Sequence, residues 1–194
     1  MSRTIDAPVT RDGNWLTWYY STRAAFSLVW VAAAFSLGRE PTLLGAILLA
    51  IYPAWDALAN VYDVRRHGGL KVNPTQAFNA LASTIVTIAV IATLQLAIHS
   101  VLAAFGIWAV LAGLMQLATG VRRWRSISGQ WPMILSGAQS TYAGTHFLHR
   151  AAEGVLPTSA GIAPYAAFGA LYFAISAASL AWSSHRRRRL ATAI

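Results

Sequence analysis

An all-α, polytopic membrane fold with six transmembrane helices is what this sequence predicts, and three observations predict it. The hydrophobic fraction is 56% against 11% charged residues, whereas about a quarter of the residues in ordinary soluble domains are charged. The apolar residues fall into six runs, each long enough to cross roughly 30 Å of hydrocarbon as a helix rising about 1.5 Å per residue. The charges cluster between the runs, and most basic residues follow every second run. Little chain is left for a water-soluble domain. The predicted organisation is a cytoplasmic tail at 1–14, one membrane domain at 15–184 and a basic cytoplasmic tail at 185–194.

Taken in order, Trp15, Trp18, Tyr19 and Tyr20 form an aromatic belt at the start of the first span, about 18–37. Ala32, Ala33 and Ala34 have the composition of a signal-peptidase site, but the run continues past them and Arg23 does not suit a signal-peptide core, so an uncleaved span is expected. The second span, about 43–64, has Pro53 near its middle and ends in a basic loop with Arg65, Arg66 and Lys71. The third covers about 75–98 and the fourth about 102–121, with a turn near His99 and Ser100. Arg122, Arg123 and Arg125 stop the fourth, and Gln130-Trp131-Pro132 opens the fifth, about 130–148. So short a connection makes spans four and five antiparallel neighbours. The sixth covers about 162–182, and the six are read as three antiparallel hairpins at 18–64, 75–121 and 130–182.

Orientation follows from the basic residues. Arg3 and Arg11 precede the first span, and the loops with Arg65, Arg122 and Arg186 follow even-numbered spans, so these all lie on one side. The other side carries only Arg39 and Arg150, each near an acid, Glu40 or Glu153. The positive-inside rule places both termini in the cytoplasm of a bacterial inner (plasma) membrane. The pairs Arg65-Arg66, Arg122-Arg123 and Arg186-Arg187 recur at comparable spacing and suggest a parallel threefold hairpin repeat.

The segment LAGLMQLATGVRRW followed by GQWPMILSGAQSTYAG resembles the short-repeat membrane proteins named for HdeD, the acid-resistance membrane protein. Glycines at helical spacing and arginines at the inner turn carry the likeness over Trp108 to Arg150. Tyr52-Pro53-Ala54-Trp55-Asp56 departs from the glycine pattern, as a divergent subgroup would. The resemblance implies a six-span inner-membrane protein linked to acid or general stress, with no catalytic residues to carry over.

Four groups of residues are candidates for function. Asp56, Asn60 and Asp63 stand at i, i+4 and i+7 on one face of the second span. An ionised Asp near the bilayer centre costs about 2.5 to 3.5 kcal/mol on insertion scales, which calls for a partner, and Arg23 on the first span lies at a comparable depth. The cluster reads either as a proton or cation site beside Pro53 or as a structural ion pair. His146, His149 and Glu153, with His99 on a neighbouring turn, gather on the non-cytoplasmic side. They read as boundary residues, as a pH-responsive group or, through His146 and His149, as metal ligands. Small residues Gly113 and Gly120 on the fourth span, and Ser136, Ser140 and Gly144 on the fifth, permit close helix contact inside one chain or between protomers of a homo-oligomer. Arg186, Arg187, Arg188 and Arg189 suit anionic lipid headgroups at about 1 kcal/mol each. The amides of Gln95, Gln116 and Gln139 are expected to bond between helices.

Composition and motifs also exclude classes. The net charge of +9 sits at the ends of apolar segments and not along one face, so nucleic acid is not an expected partner. With no cysteine there is no disulfide or thiolate chemistry. HExxH, a phosphate-binding glycine loop and a nucleophile elbow are all missing, and neither catalysis nor a cofactor is expected. The expected function is a non-enzymatic envelope or acid-stress protein, with membrane lipids as the only partners that can be named; the alternative is a small proton- or cation-coupled transporter or channel around Asp56.

Overall fold

The computed structural model describes residues 8–66, 68–72, 74–123 and 131–191, with side chains over the same stretches except 8–14, 119, 120, 122, 123, 132, 133 and 187–191. Among the described residues six α-helices follow one another: α1 (Pro8–Leu37), α2 (Leu43–Arg66), α3 (Pro74–Leu96), α4 (Ser100–Arg123), α5 (Trp131–Ala152) and α6 (Ser159–Ala191). All six predicted runs are helical. The outer two are longer than expected: α1 begins at Pro8, a residue whose fixed φ and missing N–H suit a first helical turn, and α6 continues through Arg186 into the basic tail.

Four of the helices are long and apolar enough to cross a membrane: α2, α3, α4 over Ser100–Ala118 and α6 over Ser159–Arg186. The first carries Arg23 among its tyrosines and serines, and α5 carries Gln139, His146 and His149, which lowers their mean apolarity. Outward-facing side chains support membrane embedding. Along α3, Leu81, Ile85, Ile88 and Ile91 are exposed, Ile88 by 63%, while Ser83 on the same helix is fully buried. Water would favour the reverse arrangement; lipid accepts the apolar exterior and makes polar groups turn inward. The protein is therefore a membrane-embedded helical protein.

The chain divides into two compact units. The larger, residues 30–165, contains α2 to α5 with the end of α1 and the start of α6. Its core holds Leu49, Val90, Val101, Phe105 and Ile162, each nearly free of exposure. Trp30 donates its indole N–H to the Leu48 carbonyl at 2.8 Å and lies against the Tyr52 ring, which in turn meets Trp108 edge-on. The end of α1 meets the start of α6 where Ala160 N–H bonds to Gly38 O at 3.0 Å. Two helix ends in this unit close on glycine: Gly68 and Gly154 have φ of 90° and 72°, and the residue after each donates back into the helix, Gly69 N to Val64 O and Val155 N to Arg150 O.

Within this unit α4 packs most closely on α5, then α2 on α3, and α3 less closely on α4. The most intimate pairs are thus joined by basic loops, whereas the predicted hairpin 75–121 is the looser contact. The α4–α5 seam explains the difference. A Cβ built on Gly113 would lie 2.6 Å from Gly137 O, one on Gly137 2.8 Å from Gly113 O, and one on Gly144 2.7 Å from Gly106 O. Gly106 faces Gly144 and Gly113 faces Gly137, so the helices run antiparallel with their backbones in contact.

The smaller unit comprises residues up to 29 and from 166 onward. Here Tyr20 stacks on Phe173 at 6.1 Å and the Arg23 guanidinium sits 4.3 Å from the Phe173 ring centre. Arg23 Nη1 donates to the Tyr19 hydroxyl at 2.8 Å. A cation over a ring face, with its N–H bonded to a neighbouring phenol, is a way to hold charge among apolar side chains.

Candidate functional site

The polar centre of the larger unit lies between α2 and α3. Ser83 Oγ donates to Asp56 Oδ2 at 2.6 Å. Asn60 Nδ2 donates to the same oxygen at 3.0 Å and to the Asp56 backbone carbonyl at 2.8 Å. The arrangement follows from local rules. Asn60 is one helical turn beyond Asp56, within reach of both its carbonyl and its side chain. On α3, Thr84, Thr87 and Thr93 bond the carbonyls of Ala80, Ser83 and Ala89 one turn back, the usual resting place of a helical hydroxyl. Ser83 instead turns its hydroxyl across to α2.

Asp56 is half-buried, whereas Asn60, Asp63 and Ser83 are buried. Two donors on one oxygen, one at 2.6 Å, match the geometry of charge-assisted bonds to a carboxylate. Chemically, Asp56 is a proton acceptor held at membrane depth, and Asn60 and Ser83 supply further oxygens suited to a hard cation.

The predicted triplet Asp56, Asn60 and Asp63 does share one face of α2, and its first two members are joined. Arg23 lies in the smaller unit and Asp56 in the larger, and each has partners of its own there. Ser83 was absent from the sequence candidates. A signal for it existed: Gln76, Asn79 and Ser83 recur at helical spacing on a helix that is otherwise apolar.

The histidine candidates are partly assembled. His149 Nε2 is 3.3 Å from Glu153 Oε1, with both side chains mostly exposed. His99 Nδ1 lies 3.1 Å from Gly154 O and must donate to it, linking the α3–α4 turn to the end of α5. His146 is exposed beside the Phe147 ring. Among the described residues no three His, Cys, Asp or Glu converge as metal ligands; a site on His146 and His149 lacks its third ligand there.

Of the small-residue candidates, Gly113 and Gly144 lie in the α4–α5 contact, Ser140 is buried, and Ser136 donates to Gln116 Oε1 at 3.2 Å across the helices. Gly106 and Gly137 complete the contact and were missed. They stand at the seven-residue interval that joins Gly106 to Gly113 and Gly137 to Gly144. Gly120 lies outside the described side-chain environments. Arg186 is exposed, and the side chains of Arg187, Arg188 and Arg189 also lie outside the described residues. Gln95 borders a separate groove of about 360 Å³ with Glu40, Thr42 and Thr158, at the other end of α2 and α3.

Comparison with models of known families, with curated proteins and with solved structures finds no match.

Proposed function

We propose that the protein is a small proton- or cation-coupled transporter or channel in which Asp56 takes up the ion. The convergence of Ser83 and Asn60 on Asp56 Oδ2, inside a pair of helices whose outer faces suit lipid, carries this reading. An ionisable side chain at membrane depth is costly and commonly marks an ion path. Protonation of Oδ2 adds a donor to an oxygen that accepts two bonds and removes its charge, so the bond from Ser83 weakens or reverses. The ion state of Asp56 thereby sets how α2 is tied to α3. In this reading all six helices span the bacterial inner membrane with both termini cytoplasmic, the basic loops and Arg186 to Arg189 rest on anionic headgroups, and no catalytic step or cofactor is involved.

Purified protein in liposomes tests the proposal under an imposed pH or cation gradient. Flux is expected from the wild-type chain and its loss from Asp56→Asn. Absence of proton and cation flux above background from correctly folded wild-type protein would overturn it.

A second reading, an HdeD-like envelope or acid-stress protein, draws on the likeness over Trp108 to Arg150 and on one geometric feature. His99 joins two non-cytoplasmic turns through Gly154 O, beside the His149–Glu153 pair, so acid outside the cell acts on a contact between turns. Acid survival of cells carrying a His99, His146 and His149 triple alanine variant tests it, and survival equal to wild type removes it.

A further inference from the structure

We infer that Asp56 is reached from only one end of the α2–α3 pair, the end with the basic loop, along a polar seam that stops just beyond it. The functional meaning of the seam rests on Asp56 as the ion-binding group; its existence rests on geometry alone. The seven-residue connection from Arg66 to Pro74 makes α2 and α3 antiparallel, and the Asp56–Ser83 bond sets their register. Moving toward the loop by four residues and then three leads from Asp56 to Asn60 and Asp63 on α2, and from Ser83 to Asn79 and Gln76 on α3. Each level thus pairs polar with polar: Asp56 with Ser83, Asn60 with Asn79, Asp63 with Gln76.

Burial follows the same path. Asn60 and Asp63 are buried while Asn79 and Gln76 are half-buried. The amides of Gln76 and Asn79 have no hydrogen-bond partner among the described residues. A half-buried amide on a membrane helix needs a partner, and water entering from the nearby loop end supplies one. Among the described residues the ionisable groups along the seam are Asp56 and Asp63 on α2, with Arg65, Arg66 and Lys71 exposed at its mouth; α3 carries no charged residue.

In the opposite direction the groove beside Gln95 extends to Leu49, and the layer between it and Asp56 is apolar and packed. The equivalent steps away from the loop reach Pro53 and Leu49 on α2 and Val86 and Val90 on α3, all buried. Thr87 donates its hydroxyl to Ser83 O at 2.7 Å, and the Tyr52 ring is flanked by Trp30 and Trp108 at 4.6 and 6.1 Å. Asp56 stands ten residues from the end of α2, about 15 Å at the helical rise, which is about half the hydrocarbon thickness. A seam of that depth makes half of a path; ion passage to the other side requires the apolar layer to part, as in a transporter that alternates its access.

The chain has no cysteine, so single-cysteine variants report directly. Asn79→Cys, Ser83→Cys, Val86→Cys and Val90→Cys would be placed in sided membrane vesicles and treated from one side at a time with a small, charged, membrane-impermeant methanethiosulfonate. Lys71→Cys identifies the basic-loop side. Asn79→Cys is expected to react from that side at least about tenfold faster than from the other, Ser83→Cys, fully buried at the inner end of the seam, to react more slowly but with the same sidedness, and Val86→Cys and Val90→Cys to stay slow from both, because the layer around them offers the charged reagent no polar path. Equal reaction from the two sides overturns the inference. So does protection of both Asn79→Cys and Ser83→Cys while Lys71→Cys reacts. If Ser83→Cys does not yield monodisperse protein, Asn79→Cys against Val90→Cys decides alone. One-sided modification with no flux keeps the seam and removes the transport reading; flux with two-sided modification does the opposite.

Discussion

The larger unit contains two antiparallel helix pairs held by different chemistry. Between α4 and α5 the glycine pairs Gly106/Gly144 and Gly113/Gly137 bring backbone against backbone, with the Gln116–Ser136 bond beside them. Between α2 and α3 a carboxylate collects donors from both helices. Around its glycine contacts the first seam has, among the described residues, no titratable group and no room for a Cβ, so that part of its geometry is insensitive to ion concentration. The second contains the carboxyls of Asp56 and Asp63, and its bond between the helices depends on the charge of Asp56. Under the transport proposal, the glycine pair keeps the fold while the contact at Asp56 changes.

The most severe way to break this contrast is to add a methyl group to the glycine seam. Gly113→Ala or Gly137→Ala places a Cβ within 2.6 to 2.8 Å of facing backbone and is expected to cost about 3 kcal/mol or to prevent folding. Thermal unfolding in detergent checks this, and an unchanged midpoint would show that the helices slide apart freely. Next comes Asp56→Leu, which strands the Ser83 and Asn60 donors and is expected to destabilise by about 1 to 3 kcal/mol. Asp56→Asn, which keeps an acceptor for Ser83, should cost much less in the same assay while abolishing flux; equal destabilisation would make Asp56 purely structural.

Smaller effects sharpen the comparison. Ser83→Ala is expected to cost about 1 kcal/mol, within the range of interhelical hydrogen bonds in membranes, and to alter the pH dependence of flux. If stability changes but the pH profile does not, Ser83 holds the helices together without tuning Asp56. His149→Ala is the mildest, about 0.3 kcal/mol for an exposed i, i+4 pair. Unfolding midpoints in detergent check this, and a loss as large as that of Ser83→Ala would show that the exposed pair is more than a surface contact.

Much of the fold was legible from local pattern. Six apolar runs became six helices, and the boundaries of α2 hold to within two residues because a basic cluster and Gly68 end it. The ends of α1 and α6 were less legible, since a polar segment can continue a helix: α1 runs from Pro8 through Gly13, and α6 continues through Arg186. At the candidate site, Asp56, Asn60 and Asp63 were readable from their spacing on one helix. Ser83 was not selected, because a serine in an apolar run is unremarkable until a neighbouring helix puts a carboxylate opposite it. Gly106 and Gly137 were missed for the same reason: close approach depends on two helices, and the spacing within each one names no partner.

What the sequence by itself determined is which segments are helical and apolar and which side chains share a face, because those properties depend on period, length and composition within one segment. Tertiary structure alone decided that Ser83 meets Asp56, that Gly113 meets Gly137, and that α4 grips α5 more closely than it grips α3. Each of these depends on register between helices. Register is chosen by the sum of close contacts across a seam, and no single segment contains that sum.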